Sequence, residues 1–378
     1  MQIIIKEVIL DTRIEKLAHN LINYSVSLKK GERILIEAKD CDKTILKALI
    51  REVYKVGAYP YVNLFSSEIS RELLMGESEQ RCSLLANHDL EFIKKMDAYI
   101  VIRGSNNTFE MTDVPAEKTA LHMRLTNPVK DWRVNNTKWV LLLSPTGALA
   151  QNAKMSTEEY ENFYYNVCTL DYSKMDKAMN SLVSLMEKTD KVRLVAPNTD
   201  ISFSIKGIPA VKCAGKMNIP DGEVFTAPIK ESVNGKITYN LDTVYSGISF
   251  SNICLEVENG KIVKATGTNQ EKLNSILNTD EGARYFGEFA IGVNPYIKRG
   301  FQDILFDEKM AGSIHFTPGC CYENEAPNGN LSAIHWDMVL SMLPQHGGGE
   351  IYFDNKLIRK DGLFVIDELK CLNPENLI

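Results

Sequence analysis

The chain has 378 residues, of which 44% are hydrophobic, 24% charged and 8% aromatic, and its formal net charge is -6. This length exceeds the usual size of one hydrophobic core, so we expect two domains, and the apolar content excludes a disordered chain. The acidic balance argues against a nucleic-acid partner, and the lack of any stretch of ~18 apolar residues argues against a membrane partner.

The first half of the sequence alternates helix-like and strand-like segments. Apolar residues spaced for one helix face predict a helix over Ile14–Val26, and the run Arg33–Ala38 predicts a buried strand. A second amphipathic helix is predicted from Leu46 to Val56, with Gly57 as its end. Further strands are predicted at residues 61–65, 98–102 and 139–143. This alternation indicates a mainly parallel sheet covered by helices.

The second half is rich in strand and turn signals. Apolar and polar residues alternate over Ile201–Ile205, which predicts a half-buried strand. Asn234-Gly235 and Asn259-Gly260 predict hairpin turns because Asn-Gly supplies the positive φ angles that such turns need, and Asp354-Asn355 is a weaker turn signal. We therefore predict a mixed α/β protein. An N-terminal helix-covered parallel sheet domain occupies residues 1–190, and a strand-rich α+β domain occupies residues 191–378.

One short motif in the second domain points to a metal ion. The apolar segment Ser332–Leu340 predicts a strand, on which His335 and Asp337 project from one face and Trp336 from the other. An imidazole beside a carboxylate can bind a divalent metal. Taken alone, the pair is more typical of a structural His–Asp hydrogen bond or an exposed polar pair than of a metal site.

Four other residues in the second domain are possible ligands. Glu223 leads directly into apolar residues between two prolines, and Glu288 is the one charge within an apolar run. A buried carboxylate needs a cation or hydrogen-bond donors nearby. Glu308 lies seven residues before His315, which is flanked by apolar residues. Each of these also fits a structural role by itself, and only their joint pattern favours a metal site.

Five segments of the chain are distinctive: Asn218–Pro228 (NIPDGEVFTAP), Ala283–Ala290 (ARYFGEFA), Leu305–Glu308 (LFDE), His315–Tyr322 (HFTPGCCY) and Ser332–Asp337 (SAIHWD). In this order they resemble the aminopeptidase T / aminopeptidase S family of dinuclear metallo-aminopeptidases. Leu21–Ala58 is also similar to the amino-terminal region of that family, so the resemblance covers most of the chain.

The resemblance implies a set of site residues. Tyr322 matches the active-site tyrosine of the family, no organic cofactor is implied, and residues 191–378 become the metal-binding catalytic domain. The implied metal ligands are Glu223, Glu288, Glu308, His315, His335 and Asp337.

The chain departs from the family in two places. The gap between Glu308 and His315 is longer than in close relatives. The segment between Tyr322 and His335 is shortened, and the preceding HFTPGCCY carries a proline and two cysteines. We expect that stretch to line the substrate pocket and to alter specificity.

The implied reaction is hydrolysis of the N-terminal peptide bond of a peptide substrate. We expect two divalent ions, Zn, Co or Mn, which lower the pKa of a water toward ~7 and polarise the scissile carbonyl. Tyr322 would donate a hydrogen bond to the tetrahedral intermediate, and Glu223 or Glu288 would act as general base. The resemblance also implies a homodimer.

Two other functions remain open at this point. One is a dinuclear metal-dependent amidase or deacylase that acts on a non-peptide substrate, since resemblance does not fix a substrate. The other is a catalytically silent metal-binding protein. The residues Met1–Glu7 lack the features of a signal peptide, and none of the eight cysteines forms a CxxC pair. We therefore expect reduced thiols and a cytoplasmic location.

Overall fold

The computed structural model describes residues 11–378, so the predicted absence of a signal peptide at Met1–Glu7 lies outside the described residues. The chain forms two compact units. The first unit extends to Thr169 and includes Gly215–Ile219, and the second unit comprises Leu170–Ala214 and Pro220–Ile378. None of the helices in residues 11–378 is long and apolar enough to cross a membrane.

The first unit is built on a five-stranded sheet in the order β2-β1-β3-β4-β8, in which every pair of neighbouring strands is parallel. A π-helical segment, Leu21–Ser25, follows the first helix. The elements are α1 (Thr12–Asn20), β1 (Arg33–Lys39), α2 (Lys43–Val56), β2 (Tyr59–Phe65), α3 (Ser67–Met75), α4 (Glu79–Ile93), β3 (Ala98–Arg103), α5 (Ala116–Asn136), β4 (Lys138–Leu143), α6 (Gly147–Asn152), α7 (Thr157–Cys168) and β8 (Asn218–Ile219).

Local sequence signals explain the start of this unit. The helix predicted over Ile14–Val26 is helical throughout, although its second part is π-helical. α2 begins after Asp42, whose side chain accepts a hydrogen bond from the Thr44 amide, and ends at Gly57 with φ 80°. The predicted parallel, helix-covered sheet is confirmed, because each strand from β1 to β4 is separated from the next by helix.

The second unit consists mainly of antiparallel sheets, with strand orders β14-β13-β10-β6-β5-β18-β19-β20, β17-β16-β15-β9-β7 and β11-β12. Its strands are β5 (Lys191–Ala196), β6 (Thr199–Ser204), β7 (Val211–Cys213), β9 (Glu223–Thr226), β10 (Asn234–Thr238), β11 (Thr243–Tyr245), β12 (Ile248–Phe250), β13 (Cys254–Glu258), β14 (Lys261–Thr266), β15 (Phe286–Gly292), β16 (Ser313–Pro318), β17 (Val339–Ser341), β18 (Glu350–Phe353), β19 (Lys356–Lys360) and β20 (Leu363–Phe364). Its helices are α8 (Tyr172–Met186), α9 (Gln270–Leu277), α10 (Ile304–Asp307) and α11 (Pro374–Leu377), with 3-10 turns at Gly282–Arg284, Pro344–His346 and Asp367–Leu372.

Two of the three predicted turns connect hairpins. Asn259-Gly260 joins β13 to β14 and Asp354-Asn355 joins β18 to β19, and all four residues have positive φ. The prediction for Asn234-Gly235 is wrong, because these residues lie inside β10 and pair with β6 and β13. A Cβ on Gly235 would lie 2.2 Å from the Asp200 carbonyl oxygen, so this glycine permits close strand pairing and not a turn.

Aromatic packing joins the two larger sheets of the second unit. Phe203 of β6 stacks on Phe316 of β16 at 4.7 Å between ring centroids and meets Phe289 of β15 edge-on at 5.0 Å. A β-bulge in β15 at Gly287 shifts its register against β16, and a Cβ there would meet the Cys320 carbonyl oxygen at 2.2 Å. Phe289 and Phe316 lie on one face of the β17-β16-β15-β9-β7 sheet, and this face is buried in the core. The opposite face of the same sheet is therefore available for polar side chains.

Candidate metal centre

Three adjacent strands of the β17-β16-β15-β9-β7 sheet in the second unit place predicted ligands on the polar face of that sheet. β9, β15 and β16 are neighbours, and they carry Glu223, Glu288 and His315. In the antiparallel register His315 lies opposite Ala290, and Glu223 lies opposite Gly292, so the three side chains project from the same face. The small residues between them leave room for the larger groups, and all three ligand candidates are buried.

The His-x-Asp motif reaches the same face from an irregular segment. The strand predicted over Ser332–Leu340 is wrong for most of its length, because only an isolated bridge at His335 and the start of β17 are regular. The alternation survives, because the amide of Trp336 donates to the Pro318 carbonyl and the Trp336 ring stacks on Tyr245, which is not one of the proposed ligands. His335 and Asp337 therefore still project together, as predicted, with His335 Nε2 3.2 Å from Asp337 Oδ1.

Glu308 and Tyr322 complete the predicted set. Glu308 follows the short helix α10, and one of its carboxylate oxygens lies within 4.8 Å of ligand atoms of His315 and Asp337. The ring of Tyr322 lies 5.1 Å from the His335 ring, edge to face, and also packs against Phe225. The structure thus brings all seven predicted site residues into one region of the second unit.

The six ligand candidates form overlapping triads. In each triad, one ligand atom from every member lies within 4.8 Å of the other two. Glu288, His315 and Asp337 each belong to two triads, and Glu288 contacts His315 Nε2 at 3.2 Å through one oxygen and His335 Nε2 at 3.1 Å through the other. The triads are Glu223/Glu288/His315, Glu288/His335/Asp337 and Glu308/His315/Asp337.

Three ligand atoms at the middle of this cluster are buried without a hydrogen-bond partner among residues 11–378. They are Glu223 Oε2, His315 Nδ1 and His335 Nε2. Buried polar atoms without partners are costly, and here all three are atoms that ligate metals. The other nitrogen of His335, Nδ1, lies 2.8 Å from the Cys320 carbonyl oxygen, which fixes the proton there and leaves Nε2 as an electron-pair donor. The residues present therefore fit a divalent metal.

Electrostatics inside the cluster are strongly perturbed. Burial by itself lowers the pKa of an imidazole, but Glu223 and Glu288 raise the pKa of His315 to about 10, and Asp337 and Glu288 raise that of His335 to about 12. Although burial opposes it, the adjacent imidazoles of His315 and His335 hold the pKa of Glu288 below its ordinary value. Excess negative charge thus draws protons onto the imidazoles. A divalent cation satisfies the same carboxylates and leaves the imidazoles neutral and able to ligate.

Sequence reasoning missed three residues of this site. Lys309 is 2% exposed and lies 2.5 Å from Glu223 Oε1 and 2.7 Å from Glu308 Oε1. Asp221 is 1% exposed and 3.7 Å from the same ammonium, and Thr317 donates a 2.6 Å hydrogen bond to Asp337. The sequence offers one signal for Lys309, because this single cation follows Asp-Glu and precedes the small and apolar residues Met310–Ile314, where an unpaired charge would be unfavourable.

A set of carboxylate and imidazole ligands on neighbouring strands of one sheet is typical of the active site of a metal-dependent hydrolase. The family described as thermophilic metalloprotease (M29) matches residues 10–351 of the chain. The chain belongs to this family, which confirms the prediction of a metal-dependent hydrolytic enzyme.

Individual relatives agree with this membership. Aminopeptidase T of Thermus thermophilus is 24% identical over 86% of this chain and 92% of its own length. Aminopeptidase AmpS of Bacillus subtilis is 24% identical over 80% of this chain and 82% of its own length. The predicted relation to the aminopeptidase T / aminopeptidase S family is thereby confirmed.

Solved structures support the fold assignment. Wild-type AmpT from Thermus thermophilus has a TM-score of 0.79 at 21% identity and covers 94% of this chain and 99% of that one. A 2,5-dihydroxypyridine dioxygenase from Pseudomonas putida KT2440 has a TM-score of 0.59 at 13% identity and covers 94% and 98%. At these identities the likeness shows the fold alone, and it confirms the predicted mixed α/β class.

Proposed function

We propose that this metallo-aminopeptidase hydrolyses the N-terminal peptide bond of peptides with two divalent metal ions bound in the second unit. The ligands are Glu223, Glu288, Glu308, His315, His335 and Asp337. The observation that carries the proposal is the set of three overlapping triads, whose central ligand atoms are buried without hydrogen-bond partners among the described residues.

Shared ligands support two ions in place of one. Glu288 directs its two oxygens to two different imidazoles, and carboxylates of this kind can bridge a pair of ions. Charge supports the same number. The cluster contains five buried or half-buried carboxylates, and the ammonium of Lys309 lies beside three of them, Asp221, Glu223 and Glu308. Glu288 and Asp337 are the other two, and two dications would neutralise the four negative charges that the ammonium leaves.

The ligand chemistry supports Zn, Co or Mn as the ion. Imidazole nitrogens suit Zn and Co, carboxylate oxygens suit Mn, and the six proposed ligands include no thiolate. Such ions, when bound, supply an activated water and a Lewis acid for the scissile carbonyl.

The protein residues orient and complete this chemistry. Glu223 or Glu288 accepts the proton of the attacking water, and both are fixed on neighbouring strands of one sheet. Partial burial among carboxylates raises the pKa of the Tyr322 phenol, so it keeps its proton at neutral pH. Its position beside His335 supports a role as hydrogen-bond donor to the tetrahedral intermediate.

Substrate, assembly and location follow the same proposal. A free α-amine is the feature that distinguishes a peptide N-terminus, and the acidic centre favours such a cation. The chain acts as a homodimer. β2, at the edge of its sheet, supports this with exposed apolar side chains that include Tyr59 and Leu64. All eight cysteines are free, which supports a cytoplasmic location.

The test is replacement of His335 with Ala. This change removes the imidazole of the Glu288/His335/Asp337 triad, so it should abolish both metal binding and release of a chromogenic amine from an aminoacyl amide. His88→Ala is the matched control, because His88 is a surface histidine paired with Asp89. Full activity in His335→Ala would defeat the proposal. A panel of aminoacyl amides and non-peptide amides separates an aminopeptidase from an amidase or deacylase, and elemental analysis with assays before and after chelation separates both from a silent metal-binding protein.

A further inference from the structure

A buried ammonium group lies among the proposed metal ligands. Lys309 Nζ contacts Glu223 Oε1 and Glu308 Oε1, and Asp221 Oδ1 is 3.7 Å away. Its backbone is held in place, because the Lys309 carbonyl accepts a 2.8 Å hydrogen bond from the Asn294 amide. Since the side chain is 2% exposed, the ammonium has no route to solvent without displacement of its neighbours.

The contacts of Lys309 divide the oxygens of Glu223 into two kinds. Oε1 receives the ammonium at 2.5 Å, whereas Oε2 is buried with no hydrogen-bond partner among the described residues and lies 3.6 Å from His315 Nδ1. Glu308 likewise gives Oε1 to the same ammonium at 2.7 Å. A carboxylate with one oxygen on a lysine has only the other oxygen free for an ion.

We propose that Lys309 is a permanent counter-cation and positioning residue of the metal centre. Its ammonium binds one oxygen of Glu223 and one of Glu308, so each carboxylate can ligate a metal ion only through its other oxygen. The positive charge also lowers the affinity of the site for divalent ions. The inference rests on the proposed metal site, which it deepens.

The charge of the cluster explains why such a residue is useful. Five carboxylates and two dications would leave one negative charge buried, and the ammonium removes it. An ion held by fewer carboxylate oxygens keeps more of its Lewis acidity. A lysine that only filled space or stabilised the fold would have the opposite signature, because its loss would loosen the ligands and weaken metal binding.

The test compares Lys309→Met with the wild type by competition of Co²⁺ against a chromogenic chelator, with bound metal counted by elemental analysis. Removal of a positive charge that contacts two of the proposed ligands should tighten binding by at least about tenfold even at an effective dielectric constant of about 20. The ligand-field absorption of bound Co²⁺ should also change, since Glu223 and Glu308 gain a free oxygen. Lys309→Arg, which keeps the charge and the donors, should restore the wild-type affinity and spectrum.

Lys264→Met is the matched control, because it removes a lysine–glutamate pair from a surface strand of the same unit and should leave Co²⁺ affinity unchanged. If Lys309→Met is not recovered folded, Lys309→Gln serves for the same comparison. Equal or weaker Co²⁺ binding in the uncharged variant would overturn the role of Lys309. Failure of the wild type to bind Co²⁺ would instead overturn the metal site itself, so the two failures are distinguishable.

Discussion

Each unit of the molecule contains a compact group of histidine, acidic and cysteine side chains, but the two groups differ in how their charges are satisfied. The group in the first unit consists of Glu77, Cys82 and His122, and we call it the Glu77 cluster. Its His122 Nδ1 lies 2.8 Å from Glu77 Oε2 and 3.6 Å from Cys82 Sγ. By distance alone this cluster could hold a metal ion as well as the triads around Glu288 in the second unit.

The partners of the carboxylates separate the two clusters. Arg81 contacts both oxygens of Glu77, at 2.9 and 3.0 Å, and His122 donates to one of them, so this fully buried carboxylate is already neutralised. Around Glu288, carboxylates outnumber cations, and three ligand atoms have no hydrogen-bond partner among residues 11–378. Proximity of ligand types is therefore a weaker guide to a metal site than unmet charge together with unpaired buried atoms.

The sharpest way to break this comparison is to change the central carboxylate of each cluster to its amide. Glu288→Gln removes a charge shared by two triads, so the metal content should fall and hydrolysis of an aminoacyl amide should drop by about a thousandfold or more. Glu77→Gln should keep wild-type metal content, measured by elemental analysis, and wild-type turnover. Loss of bound metal in Glu77→Gln would show that the cluster of the first unit is also a metal site.

Local signals in the sequence carried much of the fold. Gly57 ends α2 and Asn259-Gly260 turns a hairpin because these effects depend on a few adjacent residues. Asn234-Gly235 has the same local chemistry as Asn259-Gly260 but lies within β10, where pairing with two neighbouring strands decides its conformation. Tertiary pairing of this kind cannot be read from a dipeptide.

The site was predictable only in part for the same reason. Alternation along the chain correctly placed His335 and Asp337 together, although the segment is not a regular strand. Resemblance supplied Glu308, which has no local signal of its own. Lys309 was missed, because a lysine after Asp-Glu is typical of a surface and its burial depends on Glu223, which is 86 residues away in the chain.

A substitution next to the proposed ligands, at Thr317, should have a smaller effect on the metal centre than Glu288→Gln. Thr317 is fully buried, and its hydroxyl orients Asp337 through a 2.6 Å hydrogen bond. Thr317→Val should therefore weaken metal affinity or activity by about 10–100-fold, the usual effect of a group that orients a ligand. Thr226→Val is the matched control on the same sheet, since its buried hydroxyl donates to the Pro209 carbonyl and not to a proposed ligand, and its metal affinity should be that of the wild type.

The smallest expected effect concerns the stability of the first unit and its dependence on pH. Burial tends to raise the pKa of Glu77, but hydrogen bonds from His122 and Arg81 lower it below the ordinary value. A carboxylate whose folded pKa lies below its unfolded value of about 4.3 adds stability above that pH and loses it as the pH falls through the folded pKa.

Glu77→Gln should accordingly lower the free energy of unfolding by about 1–2 kcal/mol at pH 7, because Arg81 and His122 lose their charged acceptor. Urea unfolding at pH 7 and at pH 4 should show that the difference in free energy of unfolding between variant and wild type is smaller at pH 4. The reason is that Glu77 in the unfolded wild-type chain begins to take up a proton near this pH, which favours unfolding. A gap that stays constant or widens at pH 4 would mean that the ion pairs do not stabilise this cluster. The conclusion that Arg81 neutralises the Glu77 cluster, whereas the cluster around Glu288 requires metal ions, would then be wrong for the first unit.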